Sequence, residues 1–123
     1  DGEHQPTAVP RLVEPILSGE ADVVFGARDQ IPRPSERLLN RLAGLAVDVS
    51  DTGTGFRALR KPIAEQLTLD TVCTCGTFAL EAKSRGANLA EVSTPTATID
   101  KPRSIAWGHI PQLVWVLRWL WRV

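Results

Sequence analysis

The chain has 123 residues and no formal net charge, with 43% hydrophobic and 23% charged residues. This length suits one small domain, and the composition is ordinary for a globular protein. Zero net charge excludes a general nucleic-acid binder, because such proteins need a basic surface to neutralise phosphates. The charge is uneven, since residues 101–123 contain four bases and no acid. A basic end that is rich in Trp favours an anionic partner, such as a lipid phosphate or a membrane surface.

The first half of the chain predicts two helices around a buried strand. Apolar residues at helical spacing after Pro6 predict a helix that starts at Thr7, stops at Gly19 and is bent by Pro15. Its expected buried face is Val9, Leu12, Val13, Ile16 and Leu17. Residues 21–26 predict a short buried strand, and residues 29–36 a surface loop. The second helix, 35–46, is expected to bury Leu38, Leu39, Leu42 and Leu45.

The second half continues the alternation of strands and helices. In chain order the pattern predicts a turn at 51–55, a strand at 56–60, a short helix at 62–67, an irregular stretch at 70–77, a helix at 77–85, strands at 89–93 and 97–99, and a last helix from about 110. Gly86 is the expected residue after the helix end. No repeat appears, and the alternation indicates one α/β domain.

The two cysteines are expected to be reduced structural thiols. Cys73 and Cys75 are one residue apart, which rarely allows an unstrained disulfide, and two ligands alone do not make a zinc site. His4 and His109 would have to complete such a site, but their spacing does not indicate one. Reduced thiols are consistent with a cytoplasmic location.

The first residues carry a possible metal site. Asp1, Glu3 and Gln5 supply two carboxylates and an amide, and alternate side chains in a turn after a strand can converge on one cation. Oxygen ligands of this kind suit Mg²⁺ or Mn²⁺, with water and substrate phosphates completing the coordination. The alternative is that these acidic residues are simply solvated.

Four stretches together resemble glycosyltransferase family 2, in particular the polyprenyl-phosphate (dolichyl-phosphate) mannosyl- and glucosyltransferases. They are 1–6 (DGEHQP), 20–28 (EADVVFGAR), 51–57 (DTGTGFR), and 78–81 (FALE) with Gly86 and 90–92 (AEV). The family patterns that they match are Asp-x-Asp-x-Gln, "ADVV-G-S-R", "D-x-x-SGFR" and "F-x-x-E … G … E-V-P". Their order and spacing agree over roughly residues 1–100.

The resemblance implies a GT-A fold, of which this chain is the C-terminal half, with a mixed sheet flanked by helices. It implies that Asp1, Glu3 and Gln5 hold Mg²⁺ or Mn²⁺ against a nucleotide-sugar diphosphate, with Glu3 in place of the usual second Asp. The implied reaction is an inverting, metal-dependent transfer from a nucleotide-sugar donor to a polyprenyl-phosphate or related acceptor. The metal would neutralise charge on the leaving group.

The same resemblance assigns the other site residues. Arg28 is expected near the donor diphosphate, and Asp51, Gly53, Thr54 and Gly55 around the sugar or acceptor pocket. Arg57 is expected to face the acceptor phosphate, because Arg grips phosphate in a planar fork. A hydroxyl acceptor would need a general base, for which Glu81 is the leading residue, whereas a lipid phosphate would not. The alternatives are a surface role for Arg28, a turn cap at Asp51 and a solvated Glu81.

The C-terminal segment, 101–123, departs from the family. Lys101 and Arg103 correspond only loosely to its basic phosphate-binding loop. The helix that follows has one face of Ile110, Leu113, Val114, Leu117 and Trp121, and another of Trp115, Arg118, Trp119 and Arg122. Its apolar run is too short and too charged to span a bilayer. A core or oligomer contact, a helix lying in the membrane interface, and a lead-in to a membrane span all stay open.

The N-terminal half of the family's domain is absent from the sequence, which indicates a fragment or a processed product. We therefore expect this chain alone to be inactive, and to form a homo-oligomer or to need a partner that supplies the missing half. The alternative function is a non-catalytic, transferase-like module for binding or assembly, favoured by Glu3 and by the altered 100–105 loop. A related nucleotidyltransferase is disfavoured by the Gly55-Phe56-Arg57 match.

Overall fold

The computed structural model of the chain describes residues 4–29, 31, 33–69, 74–96 and 104–123, the last stretch as backbone alone over 104–108. The elements in chain order are a 3₁₀ turn (Pro6–Ala8), α1 (Val9–Leu17), β1 (Val23–Arg28), α2 (Pro34–Ala43), β2 (Arg57–Leu59), α3 (Lys61–Gln66), α4 (Thr77–Ser84), β3 (Leu89–Thr94) and α5 (Ser104–Arg122). The predicted α/β class, with a mixed sheet flanked by helices, is confirmed. The predicted strand at 97–99 lies outside the described residues.

The described sheet has the order β2-β1-β3. β1 pairs antiparallel with β2, with Phe25 opposite Arg57, and parallel with β3, with Arg28 opposite Thr94. Every residue of β1 is buried, because helices cover both of its faces. This explains why the strand reads as a continuous apolar run rather than an alternating one.

Two layers of side chains pack on the two faces of β1. On one face Val23 and Phe25 join the larger core with residues of α2, α4 and α5, including Leu39, Leu80 and Val116. On the other face Val24 packs with Leu12 of α1 and Ala21. The predicted stop signals after α1 and α4 are confirmed: Gly19 and Gly86 both have positive φ, a conformation that residues with a Cβ rarely adopt.

Part of the face predicted for α1 is wrong. Leu12 is fully buried, and Val13 and Ile16 are half-buried, but Val9 and Leu17 are exposed. The α-helix begins only at Val9, after the 3₁₀ turn, so the predicted cap Thr7 lies inside that turn. The short helix therefore has its two outermost apolar residues exposed at its ends.

The buried face predicted for α2 is also wrong in part. The helix ends at Ala43 rather than near residue 46, so Leu45 is exposed, and Leu38 points to solvent. The buried positions follow one another at helical spacing and include two polar residues: Glu36, Leu39, Asn40 and Ala43. The polar residues are buried because each finds a partner in the site described below.

The last helix is longer than predicted, and its most buried residues belong to neither of the two faces named from the sequence. α5 packs on α2 and α4 through His109, Gln112 and Val116, all of which are buried. The predicted face is mostly exposed at Ile110, Val114, Leu117 and Trp121, with Trp121 93% exposed. These four residues are called the outer stripe below. Within the described residues, α5 included, no helix has the length and apolar character that a bilayer crossing requires.

Candidate functional site

The matched motifs meet at the end of the sheet where the two parallel strands finish. Arg28 closes β1 and Thr94 closes β3, and the Thr94 hydroxyl donates to the Ala27 carbonyl at 3.3 Å. His4 forms a β-bridge with Thr96 just beyond this edge. In sheets with parallel strands, ligands bind beyond the carboxyl ends of those strands. This end of the sheet is therefore the candidate site.

A buried ion pair joins the end of β1 to the following motif. The Arg28 Nε and Nη2 atoms donate to the two oxygens of Asp51, each at 2.9 Å, and the Arg28 backbone N–H donates to the same carboxylate at 2.9 Å. Glu36 of α2 lies 3.4 Å from the same guanidinium. Asp51 thus holds Arg28 instead of capping its own turn, and Arg28 is buried rather than a surface residue.

The turn at 51–55 is held from two further sides. The Asn40 side-chain oxygen of α2 accepts hydrogen bonds from both the backbone N–H, at 2.8 Å, and the hydroxyl of Thr52. The Glu91 carboxylate of β3 accepts bonds from the Ser50 backbone N–H, the Ser50 hydroxyl and the Asp51 backbone N–H. Together, Arg28 of β1, Asn40 of α2 and Glu91 of β3 fix the backbone of the turn that contains residues 53–55.

Inside the turn, the three predicted pocket residues that follow Asp51 have different surroundings. Thr54 is fully buried, and its hydroxyl accepts the Phe56 backbone N–H at 3.2 Å. A Cβ on Gly53 would stand 3.5 Å from both Arg28 Nη2 and Cys75 Sγ, so Gly53 covers the ion pair. Gly55 is exposed, with no atom within 4 Å of a Cβ placed there. Gly55 is thus the point of the turn that offers bare backbone to a ligand.

Phe56 joins the turn to the first motif. Its carbonyl accepts the Gly26 backbone N–H at 2.8 Å, and a Cβ on Gly26 would stand only 2.8 Å from the Phe56 ring. On its other side the Phe56 ring lies 4.9 Å from the ring of His4. His4 lies between Glu3 and Gln5 in the sequence, so the first motif reaches the 51–57 motif.

Arg57 begins β2 and turns toward α4. Its guanidinium lies over the Phe78 ring at 4.1 Å and donates to the Thr74 hydroxyl at 3.1 Å. The stacking and the hydrogen bond hold the planar group in one orientation, and the residue is half-buried. A guanidinium held in one orientation has the chemistry needed to bind a phosphate oxygen.

Glu81 is buried in α4, and its carboxylate holds the segment after α3. It accepts the backbone N–H groups of Thr68 and Leu69, at 2.9 and 3.2 Å, and the Thr68 hydroxyl at 2.9 Å. Burial alone would raise the pKa of Glu81. These three bonds and the one from Arg85 together outweigh burial and lower its pKa below the ordinary value of 4.5. The bonds explain its burial, and a lowered pKa makes it a weaker base.

The remaining predicted site residues are mostly not described. Asp1, Glu3, Lys101 and Arg103 lie outside the described residues. Gln5 is exposed and immediately precedes the 3₁₀ turn, with extended backbone. An exposed amide in an extended segment beside His4 is sterically free to contribute an oxygen ligand.

Sequence reasoning missed the residues that support the turn. Glu36 and Asn40 hold the site in place but stand in none of the matched motifs, and Glu91, which stands in the fourth motif, was expected to have no role of its own. Glu36 and Asn40 do carry one readable signal, since they are four residues apart and share a helix face with Leu39. The apolar spacing of Leu38, Leu42 and Leu45 instead predicts a different buried face.

Comparison with known proteins supports a sugar-transferase relationship. No protein-family model matches the chain. It is 27% identical over 124 residues to the UDP-N-acetylglucosamine–dolichyl-phosphate N-acetylglucosaminyltransferase of Methanococcus voltae, covering 88% of this chain and 49% of that protein. It is 28% identical over 116 residues to the undecaprenyl-phosphate mannosyltransferase of Micrococcus luteus, covering 82% of this chain and 47% of that protein. The chain thus spans about half the length of these curated relatives.

These similarities confirm the resemblance drawn from the motifs. Both relatives are named for transfer to a polyprenyl phosphate, which is the subgroup that the motifs indicated. The mixed three-stranded sheet flanked by helices is consistent with part of a GT-A fold.

Proposed function

Because this chain is a relative of the polyprenyl-phosphate glycosyltransferases, we propose that it belongs to an enzyme that transfers a sugar from a nucleotide-sugar donor to a polyprenyl phosphate. The observation that carries the proposal is the convergence of the matched motifs at one end of the sheet. The buried Arg28–Asp51 pair joins two of these motifs, and the contact between His4 and Phe56 brings the first one beside them.

The proposed chemistry is an inverting displacement. An oxygen of the acceptor phosphate attacks the anomeric carbon, and the bond from that carbon to the nucleoside diphosphate breaks. A lipid phosphate is already anionic, so it needs no strong base. The lowered pKa of Glu81, and the three hydrogen bonds that its carboxylate accepts from 68–69, support this acceptor over a hydroxyl.

The chain's own residues would bind and orient the substrates. Arg57, held on Phe78, would grip the acceptor phosphate with its fork of N–H groups. Gly55 would let the sugar or acceptor approach the backbone. Arg28 already pairs with Asp51 and Glu36, so its contribution to donor binding would be made through the position of the turn.

A divalent cation completes the proposed site. Asp1, Glu3 and Gln5 would hold Mg²⁺ or Mn²⁺, and this donor set of oxygens fits either ion. When bound, such an ion neutralises the charge of a leaving diphosphate. The exposed position of Gln5 leaves its amide oxygen accessible for this role.

The outer stripe supports a peripheral position on a membrane, with the enzyme acting at the cytoplasmic face. A lipid acceptor lies in the bilayer, and an exposed apolar helix face beside Arg118 and Arg122 suits the surface of an anionic membrane. A contact with a second protein chain would lie at the edge of the sheet. Pairing along β3 with a second copy, or with a chain that supplies the other half of the domain, would extend the described sheet.

The test is sugar transfer by the full-length protein. A panel of nucleotide sugars is supplied with undecaprenyl or dolichyl phosphate and Mn²⁺ or Mg²⁺, and the glycolipid is measured. We expect transfer that EDTA abolishes and that Asp1→Ala lowers by at least about a hundredfold, while Asp48→Ala, an exposed matched acid, leaves it unchanged. A well-folded full-length protein without transfer from any donor would favour the non-catalytic module instead.

A further inference from the structure

A second cluster of ligand-type side chains lies behind the turn. Glu36 of α2, Cys75 of the turn before α4, and His109 of α5 each offer one ligand atom, and these atoms lie within 4.8 Å of one another. All three residues are buried. They come from parts of the chain that are far apart in sequence, so their spacing does not resemble a zinc motif.

The histidine is oriented as a metal ligand would be. His109 Nδ1 lies 2.6 Å from the Ser35 hydroxyl, and Nε2 lies 3.8 Å from Cys75 Sγ. If Nδ1–H donates to Ser35, the Nε2 lone pair faces the sulfur. A second hydrogen bond that fixes the ring in this way is the usual support of a metal-bound His. Two ligands of one tetrahedral zinc ion stand about 3.5 Å apart, which is close to the observed separation.

The buried Glu36 carboxylate is a second indication that this cluster binds a ligand. The Glu36 side chain is 5% exposed, and its Oε2 atom has no hydrogen-bond partner. Arg28 lies 3.4 Å from Oε2, and Arg33 lies 3.4 Å from Oε1, so both cations stabilise the charge without a hydrogen bond to Oε2. A buried carboxylate oxygen without that bond is costly unless another group binds it.

We propose that Glu36, Cys75 and His109 bind one Zn²⁺-class transition-metal ion. Thiolate, imidazole and carboxylate together select zinc over the hard ions Mg²⁺ and Mn²⁺. Closing the cluster around an ion needs a movement of about 1 Å, since zinc–ligand bonds are about 2.0–2.3 Å long. Three protein ligands leave a fourth position for water. This site is separate from the Mg²⁺ or Mn²⁺ site of the proposed function and does not depend on it.

The metal site would link α5 to the 51–55 turn. Cys75 Sγ would stand 3.5 Å from a Cβ on Gly53, and Gln112 of α5 donates to the Cys75 carbonyl at 2.9 Å. A bound ion would therefore connect α2, the turn before α4, and α5 at the back of the 51–55 turn. We expect the ion to fix α5 against the domain.

The experiment is a cobalt and zinc titration of the full chain after treatment with a chelator. Co²⁺ bound to a thiolate gives a near-ultraviolet charge-transfer band, which an oxygen-only site cannot give. We expect one such Co²⁺ per chain, displaced by Zn²⁺ and not by Mg²⁺. Cys75→Ser should remove the band, and Glu36→Gln and His109→Gln should weaken binding at least about tenfold. Zn²⁺ should raise the Tm of the unaltered chain and not that of His109→Gln.

Matched controls separate this site from incidental binding. Cys73→Ser and His4→Gln remove the other cysteine and the other histidine, and both variants should keep the band and the rise in Tm. The proposal is overturned if the unaltered chain gives no thiolate band, or if Cys73→Ser loses it. It is also overturned if Glu36→Gln and His4→Gln bind zinc equally well. Glu36→Gln keeps both the thiol and the imidazole, so its zinc affinity tests the proposed site even if Cys75→Ser does not fold.

Discussion

The Arg28 guanidinium and the Asp51 carboxylate meet at two points inside the protein, with both nitrogen–oxygen distances at 2.9 Å. Their side chains are 3% and 1% exposed. Because the two residues stand at the end of β1 and at the start of the 51–55 turn, their contact fixes the distance between two motifs. The planar fork of Arg and the two oxygens of Asp make this geometry directional as well as attractive.

Replacing Asp51 by Asn should destabilise the fold. Asn keeps the size of the side chain but removes its charge, so the buried Arg28 loses its bidentate partner and keeps the weaker contact with Glu36 at 3.4 Å. Breaking one side of a buried pair costs about 3 kcal/mol or more. We expect the free energy of unfolding in urea to fall by about that amount. Asp48→Asn, at an exposed position, should change it by less than about 0.5 kcal/mol; equal losses in the two variants would contradict the role of the pair.

Glu81 should make stability depend on pH in the acid range. Its folded-state pKa lies below the ordinary value of 4.5 because the hydrogen bonds from Thr68, Leu69 and Arg85 favour the charged form over the effect of burial. A lowered pKa contributes stability that is present above about pH 4.5 and is lost as pH falls through the folded-state value. The unfolding free energy of the unaltered chain should therefore decline in that window.

The Glu81→Gln variant isolates this contribution. Gln cannot accept the same charge-assisted bonds, so we expect a loss of about 1–3 kcal/mol at neutral pH. That loss should shrink as pH falls below 4.5, because the protonated Glu81 of the unaltered chain no longer benefits from those bonds. Glu65→Gln, in an exposed 3.9 Å pair with Lys61, should show neither effect. A difference between Glu81→Gln and the unaltered chain that stays constant with pH would refute this explanation.

Features that depend on short stretches of chain could be predicted from the sequence. The helix ends at Gly19 and Gly86 were readable because only glycine adopts positive φ without strain. The buried strand β1 was readable because a run of apolar residues bounded by turn signals suits a strand covered on both faces. The four motifs also came from the sequence, since each is a continuous segment.

Features that depend on distant partners could not be predicted. Asn40 is buried because Thr52 donates to it, and Glu91 of β3 meets Ser50 across 41 positions of sequence. An amphipathic pattern counts only apolar residues toward the buried face, so it predicted a buried Leu38 and gave no sign that Asn40 is buried. The same limit applies to α5, where His109 and Gln112 are buried because Cys75 and Thr77 supply their partners.

Gly26 should be intolerant of a side chain. A Cβ there would stand 2.8 Å from Phe56 Cδ2 and 3.2 Å from the Phe56 carbonyl oxygen, so the ring and the backbone would both have to move. Overpacking of this kind costs about 1–3 kcal/mol. We expect Gly26→Ala to lower the free energy of unfolding by that amount, and to weaken the protection of the Gly26 amide against hydrogen exchange. Gly55→Ala has open space at the Cβ and should leave stability nearly unchanged. Equal stability of the two variants would contradict the close approach of β1 and Phe56.

The outer stripe should carry the affinity for membranes that we propose. Ile110, Val114, Leu117 and Trp121 are exposed along one side of α5, and the guanidinium groups of Arg118 and Arg122 lie 5.0 Å from the rings of Trp115 and Trp119. Burying one such apolar side chain in a bilayer interface is worth about 1.5 kcal/mol or more. Leu117→Glu should therefore weaken binding to vesicles of phosphatidylcholine with phosphatidylglycerol by at least about tenfold.

Vesicle sedimentation with matched variants distinguishes membrane binding by the outer stripe from nonspecific hydrophobic binding. Leu38→Glu changes an exposed leucine on α2, at 48% against 55% for Leu117, and should bind as the unaltered chain does. Arg118→Gln should lower affinity for the anionic vesicles while leaving the weaker binding to pure phosphatidylcholine unchanged, because it removes charge and keeps the apolar face. Loss of binding in Leu38→Glu and Leu117→Glu alike would show that hydrophobic exposure in general attracts the lipid. Vesicle binding that survives Leu117→Glu would contradict membrane contact by the stripe, because burial of a carboxylate in the bilayer interface is costly.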